Sequence, residues 1–165
     1  MTRLYSAHPL YPAAADQAYP LVNLRHPGLS LRNWRAVVRR LSRGSRARGG
    51  LVMVRNARGA VVAVFSYRVG EPLVGGLLLR VTDVVMGRLP GDALPDAVAA
   101  CAEQLARDLG YPQILIEFSD DALSDGEAGI LHAAGYESGG RLLVRGAPVG
   151  HAAVAWARTP AVRSH

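Results

Sequence analysis

The sequence predicts an α/β (α+β) domain with a central, mixed and mostly antiparallel sheet flanked by helices. Three observations predict it. Two helical segments open the chain, and three apolar strand-like runs joined by short glycine-containing turns follow them. A strand–helix–strand stretch then needs a crossover, which places a parallel pair inside an otherwise antiparallel sheet. The 165 residues suit a single domain over 1–165, large enough to bury its own core, with ends expected to fray at about 1–11 and 159–165.

Residues 12–26 carry Ala14, Ala18, Leu21, Val22 and Leu24 at loosely helical spacing, made irregular by Pro20 and ended by Pro27-Gly28. Ser30 stands as N-cap to a second helix. There Leu31, Trp34, Val37, Val38 and Leu41 step by three and four onto one face, and Arg32, Arg35, Arg39 and Arg40 fall mostly on the other. Residues 43–50 (RGSRARGG) read as a basic, flexible loop. Runs 51–54 and 60–67, joined by 55–59, read as a β-hairpin; 70–76 is a second turn and 77–86 a third strand.

Residues 92–109 form a helix with Leu94, Ala97, Val98, Cys101, Ala102, Leu105 and Leu109 on one face and Gly110 as its stop. Residues 113–118 (QILIEF) are a short buried strand, and 125–134 a brief helix ending at Gly135. Strands over 136–145 and 151–157 close the domain.

Composition narrows the function classes. With 50% hydrophobic and 19% charged residues the chain is globular rather than disordered. All 19 basic residues are arginine, and the net charge of +6 favours anionic partners: a nucleotide cofactor, an acidic substrate or nucleic acid. Residues 1–11 lack the apolar run of a secretory signal, and no stretch approaches the ~18 apolar residues of a membrane span. The lone Cys101, on an apolar helix face, reads as core and calls for no oxidising compartment, so a cytoplasmic protein is expected. The scattered histidines lack ligand spacing, so no metal site is expected. The glycine-rich piece GEPLVGG has neither a P-loop lysine nor Rossmann spacing.

The element order and three local patterns resemble the GNAT superfamily of N-acetyltransferases. YPLVNLRHPGLSLRNWRAVVRRL (19–41) resembles the opening helices that flank the acceptor site. VTDVVM (81–86) resembles the central strand leading to the cofactor, and AGILHAAGYE (128–137) the short helix ending in A-G-Y or A-G-F. The resemblance implies direct acyl transfer from acetyl-CoA, or another acyl-CoA, to the amine of a small molecule or peptide. It places the pantetheine arm beside Val84, Val85 and Met86, and the pyrophosphate on the N-terminus of the next helix, where free N–H groups bind anions. Arg88, Gly91, Ala93 and, after the following strand, Ser119 take the other cofactor-binding positions.

The loop GRLPGDALPDAV departs from the family pattern. Pro90 takes the usual basic position, Pro95 removes a donor N–H, and Asp92 and Asp96 bring negative charge to the helix start. A capped helix without a phosphate site fits the same residues.

For the general base that such a reaction needs, the candidates are Asp83 on the central strand and Glu117 within ILIEF, where burial would favour a raised pKa. His132 is a further catalytic candidate. The tyrosine that serves many family members as acid aligns with Leu131, and Tyr136 is expected to pack in the core. Three functions therefore stay open: an N-acyltransferase, a GNAT-fold binding or assembly module without catalysis, and an arginine-rich polyanion or nucleic-acid binder. A homodimer formed through the final strands is also compatible with the resemblance.

Overall fold

Apolar alternation along the chain is spent on both faces of one sheet. The structure is a computed structural model that describes residues 5–71, 76–87, 94–119 and 122–138. Its strands β1 (Tyr5–Pro9), β2 (Gly49–Asn56), β3 (Val61–Gly70), β4 (Leu78–Met86) and β5 (Gln113–Ile116) lie side by side in chain order. The first three pairings are antiparallel and β4–β5 is parallel. The mixed sheet is the one predicted, and the crossover between its parallel strands is α3 (Leu94–Leu109).

One face of the sheet carries α1 (Ala15–Arg25) and α2 (Leu31–Leu41). Ala15, Ala18, Val22, Trp34 and Val38 pack there on Leu51, Met53 and Val64. The other face carries α3, whose Leu94, Val98, Ala102 and Leu105 cover Val52, Val54, Phe65, Leu79 and Val81. Burying a side chain the size of Phe65, which is 0% exposed, contributes about 1.5–3 kcal/mol. Helix α4 (Asp125–Ala133) packs on α3.

Local chemistry sets the helix ends. The Ser30 hydroxyl accepts from the Asn33 N–H at 3.2 Å, capping α2 as its sequence suggests. Ser124 and Glu127 form a reciprocal capping box on α4. Both α3 and α4 end in the same device. Gly110 (φ 79°) and Gly135 (φ 95°) turn the chain left-handed. The N–H of Tyr111 then returns to the Ala106 carbonyl at 2.8 Å, and that of Tyr136 to the Leu131 carbonyl at 3.0 Å. The A-G-Y pattern is thus a helix stop first.

Four expectations change. Residues 5–9 are not frayed: they pair with β2 from Tyr5↔Asn56 to Pro9↔Val52, and Leu10, 1% exposed, donates its N–H to the Leu51 carbonyl. Backbone bonds rather than an apolar pattern hold this edge strand, because its middle residues are exposed. Helix α1 runs through Pro20 without interruption.

The basic loop is anchored rather than loose. The Tyr67 hydroxyl donates to the Arg46 carbonyl at 2.9 Å and the Tyr111 hydroxyl to the Ala47 carbonyl at 3.0 Å. The Val69 N–H meets the Arg48 carbonyl at 3.0 Å, and Gly49–Gly50 already belong to β2. Lastly, β5 ends at Ile116, so Glu117 and Phe118 follow the strand. Of the two closing strands, 139–145 and 151–157 lie outside the described residues, and Tyr136–Ser138 is not strand.

Candidate functional site

Between α1–α2 and the sheet lies a cavity of about 830 Å³, a size suited to a small molecule. Its floor follows from strand register. The end rung is Gly49–Arg68–Arg80, the next Leu51–Ser66–Thr82, and the inner one Met53–Val64–Val85. Trp34, Val37, Arg40 and Leu41 of α2 supply the roof, with Val22 of α1 and with His26 and Leu29 of the turn between the helices. That roof is fastened by polar bonds. The Trp34 indole donates to the Ala15 carbonyl at 2.8 Å, and the Tyr19 hydroxyl to the Leu29 carbonyl at 3.0 Å.

A β-bulge shapes the middle of the floor. Between the pairs Val64↔Val85 and Ser66↔Thr82, β3 has one residue and β4 has two, Asp83 and Val84. Asp83 takes up the extra length at φ 52°, a left-handed conformation that aspartate tolerates better than most residues. The consecutive residues Thr82 and Asp83 therefore both reach the cavity. The Ser66 hydroxyl donates to Asp83 Oδ2 at 2.6 Å and the Thr82 hydroxyl to the same oxygen at 3.2 Å. Among the described residues, Asp83 Oδ1 accepts no hydrogen bond, and Asp83 is the cavity's single carboxylate.

The bulge lies where β4 parts from β5. The parallel ladder ends at Val81↔Ile116, with one last bond from the Glu117 N–H to the Val81 carbonyl at 2.9 Å. On its other side β4 stays paired with β3 through Gly87, whose N–H reaches the Val62 carbonyl at 2.9 Å. From Thr82 onward, the β5-facing edge of β4 carries no backbone pairing among the described residues. An unpaired strand edge is a surface on which an amide-bearing chain can align. Helix α3 starts a few residues later, with Leu94 and Pro95 buried in its first turn and Asp96 beside them. Pro95 has no N–H to offer an anion there.

The residues singled out from sequence fall in different places. Asp83 and Val85 line the cavity, whereas Val84 and Met86 turn to the α3 core. Glu117 is not buried in an apolar run. Its carboxylate pairs with the Arg80 guanidinium (Nε to Oε1 2.7 Å) and keeps 25% side-chain exposure, because β5 ends just before it. Ser119 is exposed, and its carbonyl accepts the Ala122 N–H at 2.8 Å. His132 is exposed at the end of α4, with Nδ1 2.8 Å from the Tyr136 carbonyl. Leu131 is buried. Tyr136 is half-buried and donates its hydroxyl to Glu103 Oε1 at 2.8 Å; burial first, then the Glu103 carboxylate, pushes its phenol above the usual range. Arg88, Gly91 and Ala93 lie outside the described residues.

Sequence reading passed over Ser66 and Thr82, which hold Asp83, and over the arginines Arg40, Arg48, Arg68 and Arg80 as one group. The alternation Arg68/Ser66/Val64 against Arg80/Thr82 marks which residues share a face. Only the strand register reveals that the two series stand opposite each other.

No protein-family model matches the chain, and no curated protein does. Solved structures do. Glucosamine-6-phosphate N-acetyltransferase from Arabidopsis thaliana is similar with a TM-score of 0.65 at 11% identity, covering 86% of this chain and 97% of that one. An aminoglycoside N-acetyltransferase in complex with CoA gives 0.65 at 10% identity, covering 87% and 94%. Ribosomal-protein-alanine N-acetyltransferase from Brucella melitensis biovar Abortus 2308 gives 0.61 at 12% identity, covering 87% and 99%. The chain has the fold of the GNAT N-acetyltransferases; in it a mixed sheet is flanked by helices, and its parallel pair opens beside the bulged strand β4.

Proposed function

We propose that the protein is an N-acyltransferase that transfers an acyl group from acetyl-CoA, or another acyl-CoA, to an amine held in the cavity. The observation that carries this reading is the coincidence of three features on β4: the edge freed from β5, the bulge, and a carboxylate set by two hydroxyls at the cavity floor. Solved structures of similar fold include acetyltransferases, one of them in complex with CoA, which supports the same reading.

The edge of β4 from Thr82 to Met86 would align the pantetheine arm. Bound there, an acyl-CoA supplies the thioester carbonyl that an amine attacks. An amine enters neutral solution as an ammonium and must lose a proton to become a nucleophile. Asp83 takes that proton. Ser66 and Thr82 fix Oδ2 and leave Oδ1 to receive it. Attack then forms the C–N bond as the thioester C–S bond breaks, and the proton shed by the new amide leaves with the thiolate as free thiol. The apolar part of the wall, from Trp34, Val37, Leu41 and Val85, lines the side of the cavity shared with α2. A single cysteine calls for no oxidising compartment, which fits a cytoplasmic enzyme, and the acceptor is a small molecule or a peptide end.

A second reading has its own observation. The position at which many GNAT enzymes carry an acidic tyrosine is the buried Leu131, and the nearby Tyr136 hydroxyl is engaged by Glu103. A module of this fold that binds acyl-CoA without turning it over would look the same.

Thermal denaturation with and without acetyl-CoA, followed by thiol release over a panel of amines, tests both. Free cofactor at a hundredfold over its Kd stabilises by about 2.7 kcal/mol, or roughly 5–10 °C in a chain of this size. Stabilisation with thiol release supports the enzyme, and stabilisation without release moves the assignment to the second reading. No shift at millimolar acetyl-CoA rejects both.

A further inference from the structure

The end rung of the cavity is built for something negative. Arg68 on β3 and Arg80 on β4 are direct cross-strand partners on the cavity face. Like charges placed so are mutually unfavourable unless an anion lies near. Glu117 answers Arg80 from the outer side, but among the described residues no carboxylate pairs with Arg68. Two more arginines line the same cavity: Arg48 from the anchored loop and Arg40 from the last turn of α2. Four elements thus each bring one arginine, against the single carboxylate of Asp83 on the next part of the floor.

The backbone around this rung is specialised to allow it. A Cβ on Gly49 would lie 2.8 Å from the Tyr67 carbonyl oxygen and 3.3 Å from Cγ of Arg68, so the Arg68 stem lies across a position with no side chain. The Tyr67 and Tyr111 hydroxyls fasten the loop that presents Arg48. The order of these groups is established by the fold, before any ligand arrives.

We propose that the acceptor is an amine that also carries an anionic group, phosphate or carboxylate, held by Arg68, Arg48 and Arg40 while its nitrogen faces Asp83. This rests on the acyl-transfer reading for the role of Asp83, but the anion site itself does not. Arginine forks match both oxyanions in geometry and charge. The spacing suits a small molecule: successive same-face positions of a strand are about 6.5–7 Å apart, and the arginine rung is one such step from the rung that leads to Asp83. A cavity volume of about 830 Å³ favours such a ligand over a nucleic-acid strand.

The test uses the full chain, with Arg68→Gln, Arg48→Gln and, as a control for net charge, Arg58→Gln in the distant hairpin turn. Inorganic phosphate, compared with chloride at matched ionic strength, should raise the Tm of the wild type and of Arg58→Gln, and not that of Arg68→Gln. Phosphoethanolamine against ethanolamine and β-alanine against β-alaninamide then separate the phosphate from the carboxylate. In one of the two pairs the anionic member should bind about tenfold more tightly or better, with the preference reduced to below about threefold in Arg68→Gln and Arg48→Gln.

The proposal is overturned if phosphate gives no stabilisation and neither pair shows a preference. It is equally overturned if the preference survives Arg68→Gln, or is lost as much in Arg58→Gln. Phosphate binding without thiol release would remove the acyl-transfer reading and leave the anion site standing. Turnover of neutral amines alone would do the reverse.

Discussion

Asp83 is both a backbone device and the proposed base, and two substitutions separate the roles. Asn tolerates the left-handed conformation and can place its carbonyl oxygen where Oδ2 accepts from Ser66 and Thr82, but its amide takes no proton. Ala keeps neither property. For Asp83→Ala the left-handed backbone costs about 1–2 kcal/mol. The lost hydroxyl–carboxylate bonds add roughly another 1 kcal/mol, a modest figure because Ser66 keeps Thr82 as a partner at 2.8 Å. The sum, about 2–3 kcal/mol, corresponds to a Tm lower by about 4–12 °C. Asp83→Asn should melt within about 2 °C of the wild type. In thiol-release kinetics both variants should lose about 10²–10⁴-fold in kcat/KM. The argument fails if Asp83→Asn keeps kcat/KM within a few fold. It fails separately if Asp83→Ala melts with the wild type.

Further outcomes follow from packing and from titration. Gly49→Ala puts a methyl 2.8 Å from the Tyr67 carbonyl oxygen; the strands must part locally, at about 1–3 kcal/mol, seen as a lower denaturation midpoint in urea with an unchanged slope. Tyr136 keeps its proton to higher pH in the folded chain than when unfolded, so its contribution is complete below the unfolded pKa of about 10 and is lost as pH rises beyond it. Tyr136→Phe should therefore lower neutral-pH stability by about 1–2 kcal/mol through the lost bond to Glu103 and flatten the alkaline fall, as urea titrations at several pH values would show.

How far these elements can be read from residues depends on what holds them. Helix α2 announces itself through Ser30 and the spacing of Trp34, Val37, Val38 and Leu41, because side-chain burial is what forms it. The hairpin and α3 are legible for the same reason. Strand β1 is not, since its middle residues are exposed and its ladder with β2 is made by the main chain. Asp83 can be singled out as a carboxylate in an apolar strand. Plain alternation, however, gives no hint of the bulge that lets Thr82 stand beside it. Glu117 looks buried in sequence because its neighbours are apolar, yet β5 stops one residue short of it and Arg80 reaches across. The arginines are the least legible. Arg40 reads as a solvated helix face and Arg48 as loop, and their convergence with Arg68 and Arg80 exists only in three dimensions.

The fastening of residues 43–48 has a consequence for how the protein can change. Both phenol hydroxyls bond to main-chain oxygens, those of Arg46 and Ala47. Every amino acid supplies such an oxygen, so these two bonds do not depend on which side chains residues 46 and 47 bear. Substitutions across the segment can therefore retune what the cavity mouth recognises at little cost to the fold. The clamp lies on Tyr67 and Tyr111, and the chemistry lies on the residues they hold. A scaffold divided in this way can exchange one ligand preference for another by single mutations, each of them foldable on its own.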